Sequence, residues 1–359
     1  MVDVANILPI IDFRKLVKAS EVTKHIKPKD IQGITVVIFN MPLRVTADPN
    51  TEPGGPLTLA TNLIIKYGVD VTIIDLNAYR IKDKLATKNN LPNGRHLTEQ
   101  ETFALTKRHF EVHGTPTMVG FSGLITTIGW QMKVAKMIRK LAPDTFLVSG
   151  NGLATELTTG LFNYIPELDA VAHSEGDDVI VKIVHDAKLI QERGIKSALQ
   201  SGKLEPYYWK EFKGRHRFMY DGGRPDDLNS IIFSDRELIR KDVFGRPLLD
   251  VYLKHPVWGV SANNSSATPF EMFVRSLTSV SSRGCPFDCD YCFRKAQGEK
   301  DWGTRSGSHI ANELRHLIDT YQVDSHGFPD DNFAVTLKRI QEIHPWLKEL
   351  GIIWGTHTR

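Results

Sequence analysis

Short, uninterrupted runs of β-branched and apolar residues recur through the first half of the chain, at 34–39, 69–75, 117–122, 145–150 and 168–172. Runs of this length without alternation are the pattern of strands covered on both faces. Stretches of helical period separate them, over 57–67, 99–112, 128–141 and from 178 to about 192. A strand that returns parallel to its predecessor needs a crossover of helix length. The alternation therefore confines this part of the chain to a doubly wound α/β sheet. Asn40-Met41-Pro42 stops the first strand, and Gly68 is the expected C-cap of the first helix. A lead-in over 1–30, with a weak helical pattern at 13–24, comes first, and the charged, Asn/Gly-rich segment 81–98 reads as a loop.

After Gly194 the pattern lapses. Residues 196–272 carry Tyr207, Tyr208 and Trp209 among several Gly, Pro and Asp, with little periodicity, and read as a linker or wrapping segment with short pieces of structure. Alternation resumes at 273, with strands expected at 276–281, 325–329 and 352–354 and helices at 308–321 and 333–350.

The 359 residues suffice for two or three domains. A composition of 41% hydrophobic and 24% charged residues is that of a globular protein. A net charge of +3 is too small to argue for nucleic acid or an anionic membrane surface. No apolar run reaches the ~18 residues of a membrane span, and the N-terminus lacks the basic start of a signal peptide. The expectation is a cytoplasmic protein whose thiols stay reduced.

All three cysteines lie in Arg283-Gly284-Cys285-Pro286-Phe287-Asp288-Cys289-Asp290-Tyr291-Cys292-Phe293, a C-x3-C-x2-C spacing. An odd number of clustered thiols is not a disulfide framework. Three thiolates together make a metal site one ligand short, and with no fourth cysteine one iron of a [4Fe-4S] cluster would stay open. The alternative is zinc held by the three thiols and His309 or His316, although structural zinc usually takes a second ligand pair that is not evident here. Unligated core cysteines are a third reading, ranked below zinc.

With its position after a strand and the aromatic Tyr291 before the last cysteine, this loop resembles that of the radical S-adenosylmethionine (SAM) superfamily. The resemblance implies that Cys285, Cys289 and Cys292 hold a [4Fe-4S] cluster whose fourth iron is chelated by SAM. It implies reductive cleavage of SAM to methionine and a 5′-deoxyadenosyl radical, with an electron donor such as flavodoxin or ferredoxin as partner. Tyr291 would lie along the adenine; the bland alternative is that it packs the loop. Gly327-Phe328-Pro329-Asp330-Asp331-Asn332-Phe333 resembles the family's acidic motif, in which a carboxylate of Asp330 or Asp331 would hold the SAM amino group. The bland alternative is that the paired aspartates cap the helix expected from 333; both hold at once with Asp330 inward and Asp331 or Asn332 capping. Trp302 and Arg305 match a basic stretch before the first helix, where Arg305 is either a carboxylate binder or a solvated surface charge. Arg359 matches an arginine after the third strand that would contact SAM, and Arg294 would offset cluster charge.

Residues 31–195 resemble the cobalamin (B12)-binding-like domain that precedes the radical SAM core in one subfamily. The matching pieces are the Pro42 loop, Asp75, Gly120-Phe121-Ser122, Ser149-Gly150-Asn151-Gly152 and Ser174-Glu175-Gly176-Asp177. All lie at strand C-termini, where open α/β sheets bind ligands. The implied cobalamin contacts are Asp75, Ser122, Gly150, Gly152, Glu175 and Gly176. Asp75-Leu76-Asn77 is not the Asp-x-His-x-x-Gly of a histidine-ligated cobalt, and Ser149-Gly150-Asn151-Gly152 replaces a more usual Gly-Gly pair. His173 reads as a packed strand-end histidine. A Rossmann-like scaffold that binds no corrin is the other reading of this half.

The expected architecture is α/β: an N-terminal Rossmann-like doubly wound parallel sheet over 31–195, the linker or wrapping segment 196–272, and the first half of a radical SAM (β/α) partial barrel over 273–359. Because an open half-sheet leaves an unpaired edge, the chain is expected to be a fragment or to be completed by a partner. The expected function is that of a radical SAM enzyme performing cobalamin-dependent methylation of an unactivated carbon. Radical cyclisation or rearrangement, or a non-catalytic module holding cluster and corrin, are the alternatives. The expected substrate is a small molecule, lipid-like or natural-product-like, with no nucleic-acid partner.

Overall fold

Seven strands line up in the order β2-β1-β3-β4-β5-β7-β6: β1 Thr35–Asn40, β2 Asp70–Asp75, β3 Met118–Ser122, β4 Phe146–Gly150, β5 Ala170–His173, β6 Tyr208–Phe212 and β7 Arg215–Asp221. The computed structural model describes residues 19–44, 51–254, 275–292 and 301–358. The sheet lies in the first of two compact units, Met1–Val45 with Gly55–Ile81 and Arg95–Pro225; the second comprises Thr46–Gly54, Lys82–Gly94 and Asp226–Arg359.

All pairings in this sheet are parallel except that of β6 with β7. Helices Gly54–Tyr67, Glu99–His113, Ile128–Leu141 and Val179–Arg193 fall where the periodicity put them, within a few residues. Thr98 and Glu101 start the second of these with a reciprocal capping box. Strand β1 is buried along nearly its whole length, which is why it reads as an unbroken apolar run. The chain runs outward from β1 to β2 and then back past β1 to β3, so the order reverses between β1 and β3. That reversal opens a crevice at the carboxyl ends of the strands.

The stretch expected to link or wrap adds the last two strands of this sheet. β7 pairs with β5, and β6 is an antiparallel edge. Their hairpin turns on Lys213 and Gly214, with φ of 52° and 71°, the mirror-image turn that suits strand twist. β6 is largely half-exposed, and Lys210 and Glu211 interrupt its three aromatic residues, so it carries no unbroken apolar run to betray it. Arg217 on β7 is fully buried, and its guanidinium donates to the carbonyls of Phe212, Pro166 and Leu168.

In the second unit β8 Ser276–Thr278, β11 Ser325–Phe328 and β12 Ile353–Thr356 form a parallel sheet of order β12-β11-β8. Helix Gly307–Tyr321 lies between β8 and β11 in the chain, helix Leu337–Leu350 joins β11 to β12, and the two helices pack together. These are successive βαβ units, the way a parallel barrel begins. The strand expected over 276–281 is broken after Thr278, and a second strand, β9 Ser282–Gly284, pairs antiparallel with β10 Trp302–Thr304. The last helix starts at Leu337, capped by Thr336, whose hydroxyl accepts from Arg339 N; Asp330 and Asp331 do not cap it. Segment 81–98 holds one short helix, Lys84–Lys88, capped by Asp83. Among the described residues no helix is long and apolar enough to cross a membrane.

The loop after β3 is fixed by a polar chain. Thr127 Oγ1 donates to Leu124 O, Gln131 Nε2 donates to Thr127 Oγ1 at 3.5 Å, and Ser149 Oγ on β4 donates to Gln131 Oε1 at 2.8 Å. A Cβ at Gly123 would lie 2.1 Å from Thr127 Oγ1 and 2.9 Å from Gln131 Nε2. Gly123→Ala should therefore displace this chain and lower stability by about 1–3 kcal/mol, read as a lower urea midpoint. Gly150→Ala, where the added Cβ would meet only Ala172 Cβ at 3.9 Å, should leave the midpoint nearly unchanged.

Candidate functional site

Strand β9 runs directly into Cys285. Gly284, the last residue of β9, has φ of 90°, a left-handed backbone that glycine adopts without steric cost. Its N–H donates to Asp331 Oδ2 at 3.3 Å. Trp302 on β10 lies opposite Gly284 in the register, so the antiparallel pair closes the base of the cysteine loop. Cys285, Cys289 and Cys292 are half-buried and in no disulfide, and Cys292 N donates to Cys289 O at 2.9 Å. Among the described residues no three His, Cys, Asp or Glu side chains are gathered as a preformed metal site. The donor set is nevertheless that of an iron–sulfur cluster: soft thiols alone, on one short loop. The two histidines considered for zinc are engaged elsewhere. His309 Nδ1 accepts from Arg305 Nε at 2.9 Å, and exposed His316 bonds to Thr320.

What holds β9 is a set of buried charges around the backbone from Thr278 to Ser282. Glu52 Oε1 accepts from Thr278 N at 2.9 Å and Oε2 from Thr278 Oγ1 at 3.0 Å. Arg236 Nε donates to the same carboxylate at 3.2 Å, and its Nη2 donates to Thr278 O at 2.6 Å. Arg305 Nη1 donates to Val280 O, and Arg339 Nη2 to Ser281 O. Asp330 accepts from Ser281 N at 2.8 Å, from Ser281 Oγ at 2.5 Å and from Ser282 Oγ at 2.7 Å. Burial pushes the Asp330 carboxyl up, while the serine donors pull it down without fully compensating. Glu313 completes the set, 2.6 Å from Arg305 and 3.9 Å from Arg236. Burial pushes its carboxyl up, but the two guanidiniums outweigh that and hold it below the usual range.

The two aspartates thus differ. Asp330 is 3% exposed and turned onto Ser281 and Ser282, whereas Asp331 is exposed at the end of β11, against Gly284 N. Tyr291 is 93% exposed, so it does not pack the loop. Arg305 is buried and paired with Glu313, which overturns its reading as a surface charge. Arg294 and Arg359 lie outside the described residues. Glu52, Ser281 and Ser282 were not singled out in the sequence, and Asn332 only as a candidate cap, a role Thr336 takes; the Ser281-Ser282 pair ahead of Arg283-Gly284-Cys285 is the one local signal that pointed there.

In the first unit the register carries Asp75, Asn40, Ser122 and Gly150 onto one line across the carboxyl ends of β2, β1, β3 and β4. Asp75 is buried, and its Oδ1 accepts from Asn40 Nδ2 at 2.8 Å and Asn77 N at 3.1 Å. Asn77 Oδ1 accepts from Leu43 N, so this carboxylate ties the strand ends to the loop at Pro42. Ser122 Oγ accepts from Asn151 Nδ2 at 3.1 Å, and Asn151 Oδ1 accepts from Gly152 N. Glu175 and Gly176 are half-buried, with Gly176 close against Leu59. His173 Nδ1 lies 2.9 Å from Asp221 Oδ1, its register partner on β7. The line brings Asp75, Ser122 and Gly150 together, and Asn40 and Asn151 are its additions to the residues expected there.

No family model matches the chain. Over 249 residues it is 23% identical to an uncharacterized methyltransferase of Pyrococcus horikoshii, covering 68% of this chain and 46% of that protein. Over 248 residues it is 22% identical to the anaerobic magnesium-protoporphyrin IX monomethyl ester cyclase of Rubrivivax gelatinosus, covering 68% and 39%. A stretch of 89 residues, 25% of this chain and 17% of the relative, is 27% identical to the cytidylyl-2-hydroxyethylphosphonate methyltransferase of Streptomyces wedmorensis. The matches span less than half the length of these curated relatives. Among solved structures the chain is similar to the cobalamin-dependent S-adenosylmethionine radical enzyme OxsB with aqua-cobalamin and S-adenosylmethionine bound. The TM-score is 0.51 at 16% identity, covering 88% of this chain and 37% of that one. The apo form of OxsB gives 0.51 at 15% identity, covering 91% and 39%. The likeness in fold is to a cobalamin-dependent radical SAM enzyme, the resemblance read from the cysteine loop and the strand ends.

His326 on β11 is 2% exposed, bonded through Nε2 to Ser279 Oγ and surrounded by Glu313, Arg236 and Arg305. Burial is the largest cause that pushes its pKa down, to about 3. Between that value and the ordinary ~6.5, the unfolded chain holds the proton and the folded chain does not. Stability is therefore lost as pH falls below ~6.5, and this group contributes no pH dependence above it. From about pH 6.5 to pH 5.5, His326→Gln should lose about 1 kcal/mol less than the parent chain, compared by urea unfolding at the two pH values. Equal losses would show that His326 takes up its proton in the folded state.

Proposed function

We propose that this chain is a radical SAM enzyme that holds a [4Fe-4S] cluster through Cys285, Cys289 and Cys292, cleaves SAM reductively, and with cobalamin methylates an unactivated carbon of a small molecule. The observation that carries this reading is the base of the cysteine loop. Three thiols, with no fourth in the sequence, leave from a backbone that buried charged side chains hold on both sides. Two of the relatives are methyltransferases by name, and the OxsB structure contains cobalamin and SAM, which supports the cofactor set.

When bound, the cluster would supply the electron that splits SAM into methionine and a 5′-deoxyadenosyl radical, and cobalamin would carry the methyl group. The chain's own residues bind and orient. Exposed Tyr291 offers a ring face to an adenine. Asp331, at the mouth of the loop, is the carboxylate placed to accept hydrogen bonds from the SAM ammonium, and Asp330 works beneath it by fixing Ser281 and Ser282. In the first unit, Ser122, Gly150 and Gly152 with Glu175 and Gly176 would line the corrin side of the strand ends, and buried Asp75 would hold the strand-end loop in place. An external one-electron donor protein of the flavodoxin or ferredoxin kind is the partner this chemistry needs. The relative named as a cyclase favours a second reading, radical cyclisation on the same cofactors.

Anaerobic reconstitution with iron and sulfide should give cluster absorbance that Cys289→Ala abolishes, and SAM with a strong reductant should then yield 5′-deoxyadenosine. Stoichiometric zinc without cluster absorbance would sink the reading. Transfer of labelled methyl from SAM to a product separates methylation from cyclisation. Asp331→Asn should weaken SAM binding about tenfold, the worth of a hydrogen bond between charged groups, and leave the cluster absorbance intact, as read by SAM titration of the reconstituted chain.

A further inference from the structure

Asn332 follows the two aspartates and is 2% exposed. Its backbone carbonyl accepts from Trp302 Nε1 at 3.0 Å and from Ser282 Oγ at 3.4 Å, which fixes its main chain between β9 and β10. Its side-chain Oδ1 accepts from Thr358 Oγ1 at 3.3 Å. With the oxygen so engaged, the amide presents its NH2 end the other way, and Nδ2 donates to Cys285 Sγ at 3.8 Å. A helix cap does not explain this placement, because Thr336 caps the following helix. The residue is buried, held by two donors at its backbone carbonyl and by one at Oδ1, and its amide nitrogen is aimed at the first thiol of the cysteine loop.

We propose that Asn332 sets the reduction potential of the cluster held by Cys285, Cys289 and Cys292, by donating Nδ2–H to Cys285 Sγ and so favouring the reduced cluster. This rests on the cluster reading above and adds a role for a residue to which that reading gives none. Hydrogen bonds to ligating sulfurs are one of the protein's levers on cluster potential. Reduction adds one electron from an external donor to the cluster and raises the negative charge on its sulfurs. A fixed N–H dipole aimed at one of them stabilises the reduced state more than the oxidised state. Asn332 gains and loses no proton in the step, so its effect is the same on either side of neutral pH.

The test is a redox titration of the reconstituted 359-residue chain, followed by electron paramagnetic resonance without SAM. Asn332→Leu keeps the side-chain size and removes the donor. At a fixed solution potential it should shift the equilibrium about threefold to tenfold toward the oxidised cluster, the net worth of one hydrogen bond, or about 30–60 mV to the negative. Asn332→Asp removes the donor and adds charge, and should lie lower still. An unchanged midpoint in Asn332→Leu overturns the proposal, as does a shift in Asn332→Asp alone, which would report charge and not the hydrogen bond. If Asn332→Leu holds no cluster, Asn332→Ser, too short to reach the sulfur, takes its place with the same expected shift and the same overturning result. A parent chain that assembles no cluster at all defeats the function reading and this inference with it; a cluster present in every variant with equal midpoints defeats this inference alone.

Discussion

The backbone from Thr278 to Ser282 is the constraint on which the second unit turns. Glu52 and Arg236 hold Thr278, Arg305 holds Val280, and Arg339 and Asp330 hold Ser281. Taking this many charges out of water is costly, and a buried ion pair is weak evidence of net stability. What such a set does is over-determine a path. Backbone donors and acceptors of Thr278, Val280 and Ser281 meet charged partners, and charge-assisted bonds are short and directional. The turn decides where β9 starts, β9 decides where Gly284 swings the chain, and Gly284 decides where Cys285 stands. The three thiols therefore leave from a base held by buried side chains.

The same set explains why two adjacent aspartates have different roles. Asp330 is drawn inward by three donors from Ser281 and Ser282, so its carboxylate is committed. Asp331 stands exposed beside the N–H of Gly284. Asn332, next along, is turned back inward to Cys285. Three consecutive residues at the end of one strand thus serve the base of the loop, its mouth and its first thiol.

In the first unit the equivalent constraint is built mostly from neutral polar groups, with the Asp75 carboxylate among them. The strand ends at the β1/β3 reversal are tied by Asn40 with Asp75, by Asn151 with Ser122, and by the Thr127–Gln131–Ser149 chain. Polar residues at the ends of buried strands need partners, and here they find them in one another. The result is a polar rim at the carboxyl ends, the side on which open α/β sheets receive ligands.

The alternating period of strands and helices determined the doubly wound sheet by itself, because a strand buried on both faces has to be an unbroken apolar run and a parallel return has to be a helix. The cysteine spacing likewise made a metal-binding loop the expectation, since soft thiols clustered in threes have few other uses. Local pattern does not report an edge strand that stays half in water, so the β6–β7 hairpin, with Arg217 buried against three carbonyls and the Phe162 ring, was hidden in an irregular-looking segment. Nor does it report partners far apart in the chain. Glu52 reaches Thr278, and Asn332 reaches Cys285, only once the strands are laid side by side. Which partners receive the inward Asp330, where the strand before the cysteines breaks, and which amide faces a thiol were settled by tertiary packing, because a buried charge takes its orientation from whatever partner the fold brings within hydrogen-bond reach.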